Sequence, residues 1–387
     1  MPTTVAVRPE LIRWAVDRSR LTRDDLDKFS IEEWEKGEKQ PTLSQLEAFA
    51  KRTMTPLGYL FLPVPPEEKL PIPDFRTVGD APIQDPSPNL IETLQTMQRR
   101  QSWMRDYLIE EGQAELPFIG SLNRQSNVAS AAKRIRKTLG LSEDWASTHA
   151  NWAEAVSALR NVAEEAGVLV VTSGIVGLST RRQLDPQEFR GFVLCDAYAP
   201  LIFVNGADAK SAQMFTMAHE LAHLWLGYDG LFNLINMQPH DDARERYCNQ
   251  LAAEFLVPGE KLRERWQEAR GTDDPYKTIA RWFKVSPLVA ARRALDLGLI
   301  GKSAFFVFYN QQQEEWQDQK ALERSRRSHP SFYAVQDVRL GRRFAYAVVC
   351  AAREGRLLYR DAYQLTDLKG DTFEKYANRL VQRMRDG

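Results

Sequence analysis

The spacing of hydrophobic positions changes several times along the chain, and each change predicts a different element. Within residues 211–226, SAQMFTMAHELAHLWL, Phe215, Ala218, Ala222 and Leu226 recur at helical spacing with no Gly or Pro between them, which predicts a buried helix. The next periodic run, residues 241–260, places Ala243, Tyr247, Cys248, Leu251 and Phe255 on a buried face and stops at Pro258-Gly259. Ahead of both, residues 152–166 read as a helix, followed by β-favouring runs at 168–172, 189–196 and 200–205. These segments predict a mostly α chain with a small mixed sheet, an α+β core flanked by helical domains.

The flanks divide by their punctuation. Residues 1–66 read as a small helical unit, with helices at 9–17 and 22–29, a third capped by Ser30 and stopped by Gly37, and a restart at Pro41-Thr42. From Pro63 the run PVPPEEKLPIPDFRTVGDAPIQDPSP fixes backbone angles and reads as an extended strap, with Asp74-Phe75-Arg76 able to pin it by packing. Residues 90–111 and 127–138 read as scaffold helices, and their basic clusters read as solvated faces. Residues 278–300 and 355–380 have the cadence of helix-turn-helix units, whereas the highly polar residues 311–327 read as an exposed helix or mobile connection. The predicted division is 1–66, 67–150, 151–270 and 271–387.

Composition narrows the classes. A chain of 387 residues with 43% hydrophobic content supports two or three cores. Its 52 basic and 52 acidic residues cancel, so no global field favours nucleic acid or an anionic membrane. Cys195, Cys248 and Cys350 are widely spaced and odd in number, which predicts a reducing, cytoplasmic setting rather than a disulfide framework. No apolar leader or bilayer-length run appears, weighing against secretion and membrane insertion.

The candidate chemistry lies in His219-Glu220-Leu221-Ala222-His223. On a helix, i,i+4 spacing brings both imidazoles to one face, where they can share one ion, and Glu220 is placed to deprotonate a water. With only five histidines in the chain, chance is a poor explanation of that spacing. A catalytic zinc usually takes three protein ligands. Glu245 on the following helix is a candidate third, with His240, Asp241, Asp242 and Glu254 as rivals on residue type alone.

FTMAHELAHLWL (215–226) followed by ERYCNQLAAEFLVP (245–258) resembles the ImmA/IrrE family of metallo-endopeptidases. The resemblance implies a zincin-like core in which His219, His223 and Glu245 hold the metal and Glu220 is the general base. It implies Zn2+, and the nitrogen and oxygen donors also suit Mn2+. Cys248 stands where the family usually has alanine and reads as core. Residues 34–77, 182–220 and 333–348 resemble the longer subgroup with an N-terminal phage-repressor-like helix-turn-helix domain. The implied partner is a protein substrate, a helix-turn-helix repressor, cleaved in the cytoplasm without a membrane. Oligomeric state is left open.

In zincin-type peptidases an edge strand beside the metal helix pairs with an extended substrate, and residues 174–188, with Arg181, Arg182 and Arg190, are a candidate rim. His149 and Tyr247 are nominees by residue type for an oxyanion donor. The rival function is a sequence-specific DNA-binding regulator with a non-proteolytic metal domain. For the N-terminal unit, seven acids against four bases between Leu21 and Gln40, including Glu32, Glu33 and Glu35 on the recognition position, oppose phosphate contact. A docking or dimerisation module is the blander reading there. Arg281, Lys284, Arg292 and Arg293, expected to face outward, form the most DNA-compatible surface.

Overall fold

The structure, a computed structural model, describes residues 4–68, 70, 72, 86–232, 243–322 and 332–386. The chain is mostly helical, 61%, around a small mixed four-stranded sheet. It divides into two compact units, which among the described residues are 4–70 with 86–95, and 72 with 96–386. Asp74-Phe75-Arg76, His240, Asp241 and Asp242 lie outside the described residues.

In the first unit, α1 (Pro9–Ser19) begins with a proline in its first turn, where the missing N–H costs nothing. α2 (Ile31–Lys36) ends at Gly37, whose φ of 72° supplies the left-handed stop. α3 (Leu43–Arg52) opens with a capping box between Thr42 and Gln45. Their apolar faces enclose Leu11, Ile12, Leu46 and a ring cluster in which Phe49 meets Phe29 and Trp34 edge to face. Two expectations fail here. The helix expected at 22–29 is a single 3-10 turn, Asp24–Leu26, because Thr22 and Asp25 exchange side-chain-to-backbone hydrogen bonds that compete with helix propagation. Ser30 makes no capping bond, and its hydroxyl accepts from Lys39 instead.

α4 (Pro88–Glu110) passes from the first unit into the second, where α5 (Val128–Thr138), capped by Asn127, and α6 (Trp152–Glu165), capped by Asn151, follow. The strands are β1 (Leu169–Ser173), β2 (Gly191–Leu194), β3 (Leu201–Asn205) and β4 (Gly230–Phe232), in the order β1-β3-β2-β4. β1 runs parallel to β3, and the other pairs are antiparallel. β2 is shorter than expected because the Cys195 N–H leaves the ladder for Asp229 Oδ1, while Asp196 collects the N–H groups of Tyr198 and Ala199. β4 was not anticipated; three residues are too few to carry a period.

α7 (Lys210–Leu226) lies on β2 and β3 and packs against α6 and α8 (Ala243–Leu256). Its last turn closes on Gly227, whose N–H donates to the His223 and Leu224 carbonyls, and further donors reach the same end. Gly120 donates to Leu224 (3.0 Å) and Leu122 to Trp225 (2.8 Å), so the chain at 116–122 crosses the helix end. Phe118 stacks on Trp225 there, with ring centroids 4.3 Å apart.

Beyond α8 come α9 (Gly259–Arg270), α10 (Pro275–Phe283), α11 (Pro287–Asp296), α12 (Lys302–Leu322), α13 (Phe332–Leu340), α14 (Arg342–Arg353), α15 (Tyr359–Thr366) and α16 (Gly370–Asp386). The turn between α10 and α11 presents only part of the outward basic surface expected of it: Arg281 is exposed and Arg292 half-buried, whereas Lys284 and Arg293 turn inward. Arg293 is buried, donating to the Val257 carbonyl and pairing with Glu254, and Lys284 caps its own helix by donating to Arg281. Arg292 is tied to Asp296. Arginine at two successive helical positions must turn one side chain inward when the helix packs on both flanks.

Arg100 of α4 anchors the C-terminal helices, donating to the carbonyls of Leu365 and Arg339 and pairing with Asp367. Burial lowers its pKa to about 10 against the opposing pull of Asp367. No helix among the described residues is long and apolar enough to cross a membrane.

Candidate metal centre

α7 and α8 bring together His219, His223 and Glu245, the three potential metal ligands that cluster among the described residues. The two histidines are one turn apart on α7, and Glu245 enters from the first turn of α8. His219 Nε2 lies 3.1 Å from Glu245 Oε2, His223 Nε2 3.1 Å from Glu245 Oε1, and the two Nε2 atoms are 3.0 Å apart. Ligands ~2.0–2.1 Å from a tetrahedral ion sit roughly 3.3 Å from one another, so the spacing suits a small divalent ion. The donors are imidazole nitrogen and carboxylate oxygen, a set that fits zinc.

All four motif residues are enclosed: His219, Glu220 and Glu245 are at most 1% exposed, and His223 is 3% exposed. Burial lowers the His219 pKa, against the opposing charge of Glu245, and so favours the neutral imidazole a metal requires. For Glu245, burial alone would raise the carboxyl pKa. The charge and hydrogen bonds of His219, with those of His223, outweigh it and hold the group well below the usual range. Burial pushes Glu220 in the other direction, well above an ordinary carboxylate, and the Glu245 charge adds to that. Neither Glu220 oxygen has a hydrogen-bond partner among the described residues.

Of the rivals for third ligand, Glu254 alone lies among the described residues. Glu254 is committed to Arg293 and to the Gly259 N–H, about two and a half turns along α8 from Glu245. The helix carrying Glu245 is clamped at its far end, where Arg136 donates to the carbonyls of Glu254 and Phe255 and Arg293 to that of Val257. These cations meet the negative end of the helix dipole. Cys248 is fully buried, as a core residue. The Cys195 thiol is pushed far up, first by burial and then by Asp229, which makes it a poor nucleophile.

Sequence reasoning gave Asn249 no role. It stands one turn beyond Glu245 and lies beside His219, with its Oδ1 lacking a hydrogen-bond partner among the described residues. A metal-ligating imidazole commonly gives its second nitrogen to such an acceptor, which fixes the ring. The i,i+4 relation of Glu245 to Asn249 was the available signal. Of the oxyanion nominees, Tyr247 donates its hydroxyl to the Ser126 carbonyl at 3.0 Å, and the His149 ring lies edge-on to Trp145. Neither is brought to the His219–His223–Glu245 group. The rim segment folds back on itself, with Val176 donating to Arg182 and Leu184 to Gly174.

Residues 163–295 match the IrrE N-terminal-like domain. This peptidase family model runs from the end of α6 to α11 and contains His219, Glu220, His223, Glu245 and Asn249. It supports a metal-dependent peptidase of the ImmA/IrrE type. Outside this peptidase domain, residues 340–379 match a domain of unknown function. No curated protein matches the chain.

Proposed function

We propose that the chain is a zinc-dependent endopeptidase in which His219, His223 and Glu245 hold the ion and Glu220 is the general base. The observation that carries this reading is the convergence of two imidazoles and a carboxylate beside a buried glutamate with no hydrogen-bond partner among the described residues. When bound, a divalent ion there supplies Lewis acidity, lowering the pKa of water and polarising a carbonyl. Glu220 takes the proton from the attacking water and passes it toward the leaving amine. Manganese fits the same donors.

An extended substrate pairs along β4 in this reading. β1, the other edge of the sheet among the described residues, is packed by α13, whereas β4 follows directly from the metal helix. Backbone bonds along such an edge hold a peptide without demanding a side-chain sequence, so selectivity falls to the flanking helical regions. The substrate is a narrow one, a cytoplasmic helix-turn-helix repressor whose loss turns on stress or mobile-element genes. The division at 1–66, 67–150, 151–270 and 271–387, with the first part a repressor-like docking domain, belongs to the same proposal.

Co-expression with a repressor encoded beside the gene tests it. Wild type is expected to deplete the intact repressor. Glu220→Gln should lose about 10²–10⁴-fold in cleavage rate, the usual contribution of a positioned base. Equal depletion by both proteins would remove the general-base role, and no depletion of any neighbouring repressor under stress would remove the substrate class.

A further inference from the structure

β2 enters the sheet at Gly191, and three groups occupy the space where a side chain would begin. A Cβ on Gly191 would stand 2.5 Å from Thr216 Cγ2, 2.8 Å from the Phe203 carbonyl oxygen and 3.2 Å from Glu220 Oε1. The backbone itself does not require glycine, since Gly191 is not among the positive-φ residues. The requirement is spatial. Thr216 and Glu220 are one turn apart on one face of α7, both almost fully buried, and α7 packs on β2. The turn of the helix that carries the proposed base therefore sits on a bare Cα.

We propose that Gly191 is the positioning residue for Glu220: its missing side chain lets α7 settle onto β2 at the depth that sets the carboxylate beside the histidine pair. This rests on the peptidase reading above. A methyl at 191 has few ways to be accommodated. The Phe203 oxygen belongs to the backbone of β3, held in register opposite Phe192, with the two rings stacked 4.9 Å apart. Thr216 is β-branched, and its rotamer is restricted on a helix. The Glu220 carboxylate is the far end of a flexible side chain, and no hydrogen bond among the described residues holds it in place. It is the group that moves. His219 and His223 are oriented by Glu245 across the α7–α8 contact, so metal binding survives the change.

The test uses the full chain loaded with Co2+, reading the ion's visible spectrum, its affinity and the melting temperature. Glu220→Gln should bind Co2+ and change the spectrum, which defines the signature of the carboxylate. Gly191→Ala should keep Co2+ affinity within about threefold, against the roughly 10–100-fold loss that follows when a ligand's support is disturbed. Its spectrum should move toward that of Glu220→Gln. Adding Thr216→Ser, which removes the methyl in closest conflict, should return it toward wild type. Thr216→Ile closes the same gap from the helix side and should repeat the shift even where Gly191→Ala does not fold. A wild-type spectrum in folded Gly191→Ala or Thr216→Ile overturns the proposal. So does a loss of Co2+ affinity that tracks the melting temperature, the mark of a merely structural role. If wild type binds no Co2+, or Glu220→Gln leaves the spectrum unchanged, the peptidase reading itself fails.

Discussion

Two helix pairs in the second unit bury charged side chains and dispose of the charge in opposite ways. In α10–α11, Arg293 reaches the Val257 carbonyl and Glu254, and Lys284 reaches the Arg281 carbonyl, so each cation is spent on closing a helix end. In α7–α8, the carboxylate of Glu220 has no hydrogen-bond partner among the described residues, and two imidazoles meet one another and Glu245 at 3.0–3.1 Å. A buried polar group left without a partner costs stability. The first pair is complete as protein. The second makes physical sense when something outside the protein enters it, and that contrast separates an architectural charge from a chemical one.

The contrast can be broken most severely at the metal ligands. His223→Ala should reduce bound zinc from about one ion per chain to almost none, because two remaining protein ligands do not make a catalytic site. Elemental analysis of both purified proteins decides this, and equal occupancy would show that α7–α8 is as self-contained as α10–α11. Next in size is Arg293→Ala. It strands Glu254 and the end of α8, and should cost about 3–5 kcal/mol in chemical denaturation, as breaking a buried ion pair does. Metal stoichiometry should stay at the wild-type value at temperatures where the variant is folded. The smallest effect is expected from Arg292→Ala, since Arg292 already answers Asp296 on a partly exposed face. A salt series on duplex DNA should find no binding that this variant weakens. A strong salt-dependent affinity lost with Arg292 would favour the DNA-binding regulator instead.

The sequence carried these two pairs unequally. The i,i+4 spacing of His219 and His223 is a local rule and needs only a helix, which Ser211 to Leu226 plainly forms. Residue type alone left Glu245 among rivals; resemblance selected it, because the crossing of α7 with α8 is tertiary information. Its role in binding metal is still a proposal. Arg293 was misplaced for a related reason. The helical wheel of α11 locates it beside Arg292 but cannot say that Val257 and Glu254 wait on that side. Asn249, a neutral amide one turn beyond Glu245, was given no role, and β4 fell below the length at which alternation is visible. In the first unit, the helix expected at 22–29 lost to the Thr22–Asp25 bonds, which form within four residues and need no core.

The enclosure of the four motif residues has a kinetic meaning. In the proposed peptidase, a site this enclosed cannot receive a polypeptide while the protein stays as it is, so turnover would be the product of an intrinsic rate and the fraction of time the site is accessible. An accessible fraction of about 1% would slow cleavage roughly 100-fold with every active-site atom in place. Opening then acts as a clock in series with the chemistry, and anything that lengthens each opening accelerates cleavage without touching Glu220. Dormancy would require no inhibitor, only rarity of exposure.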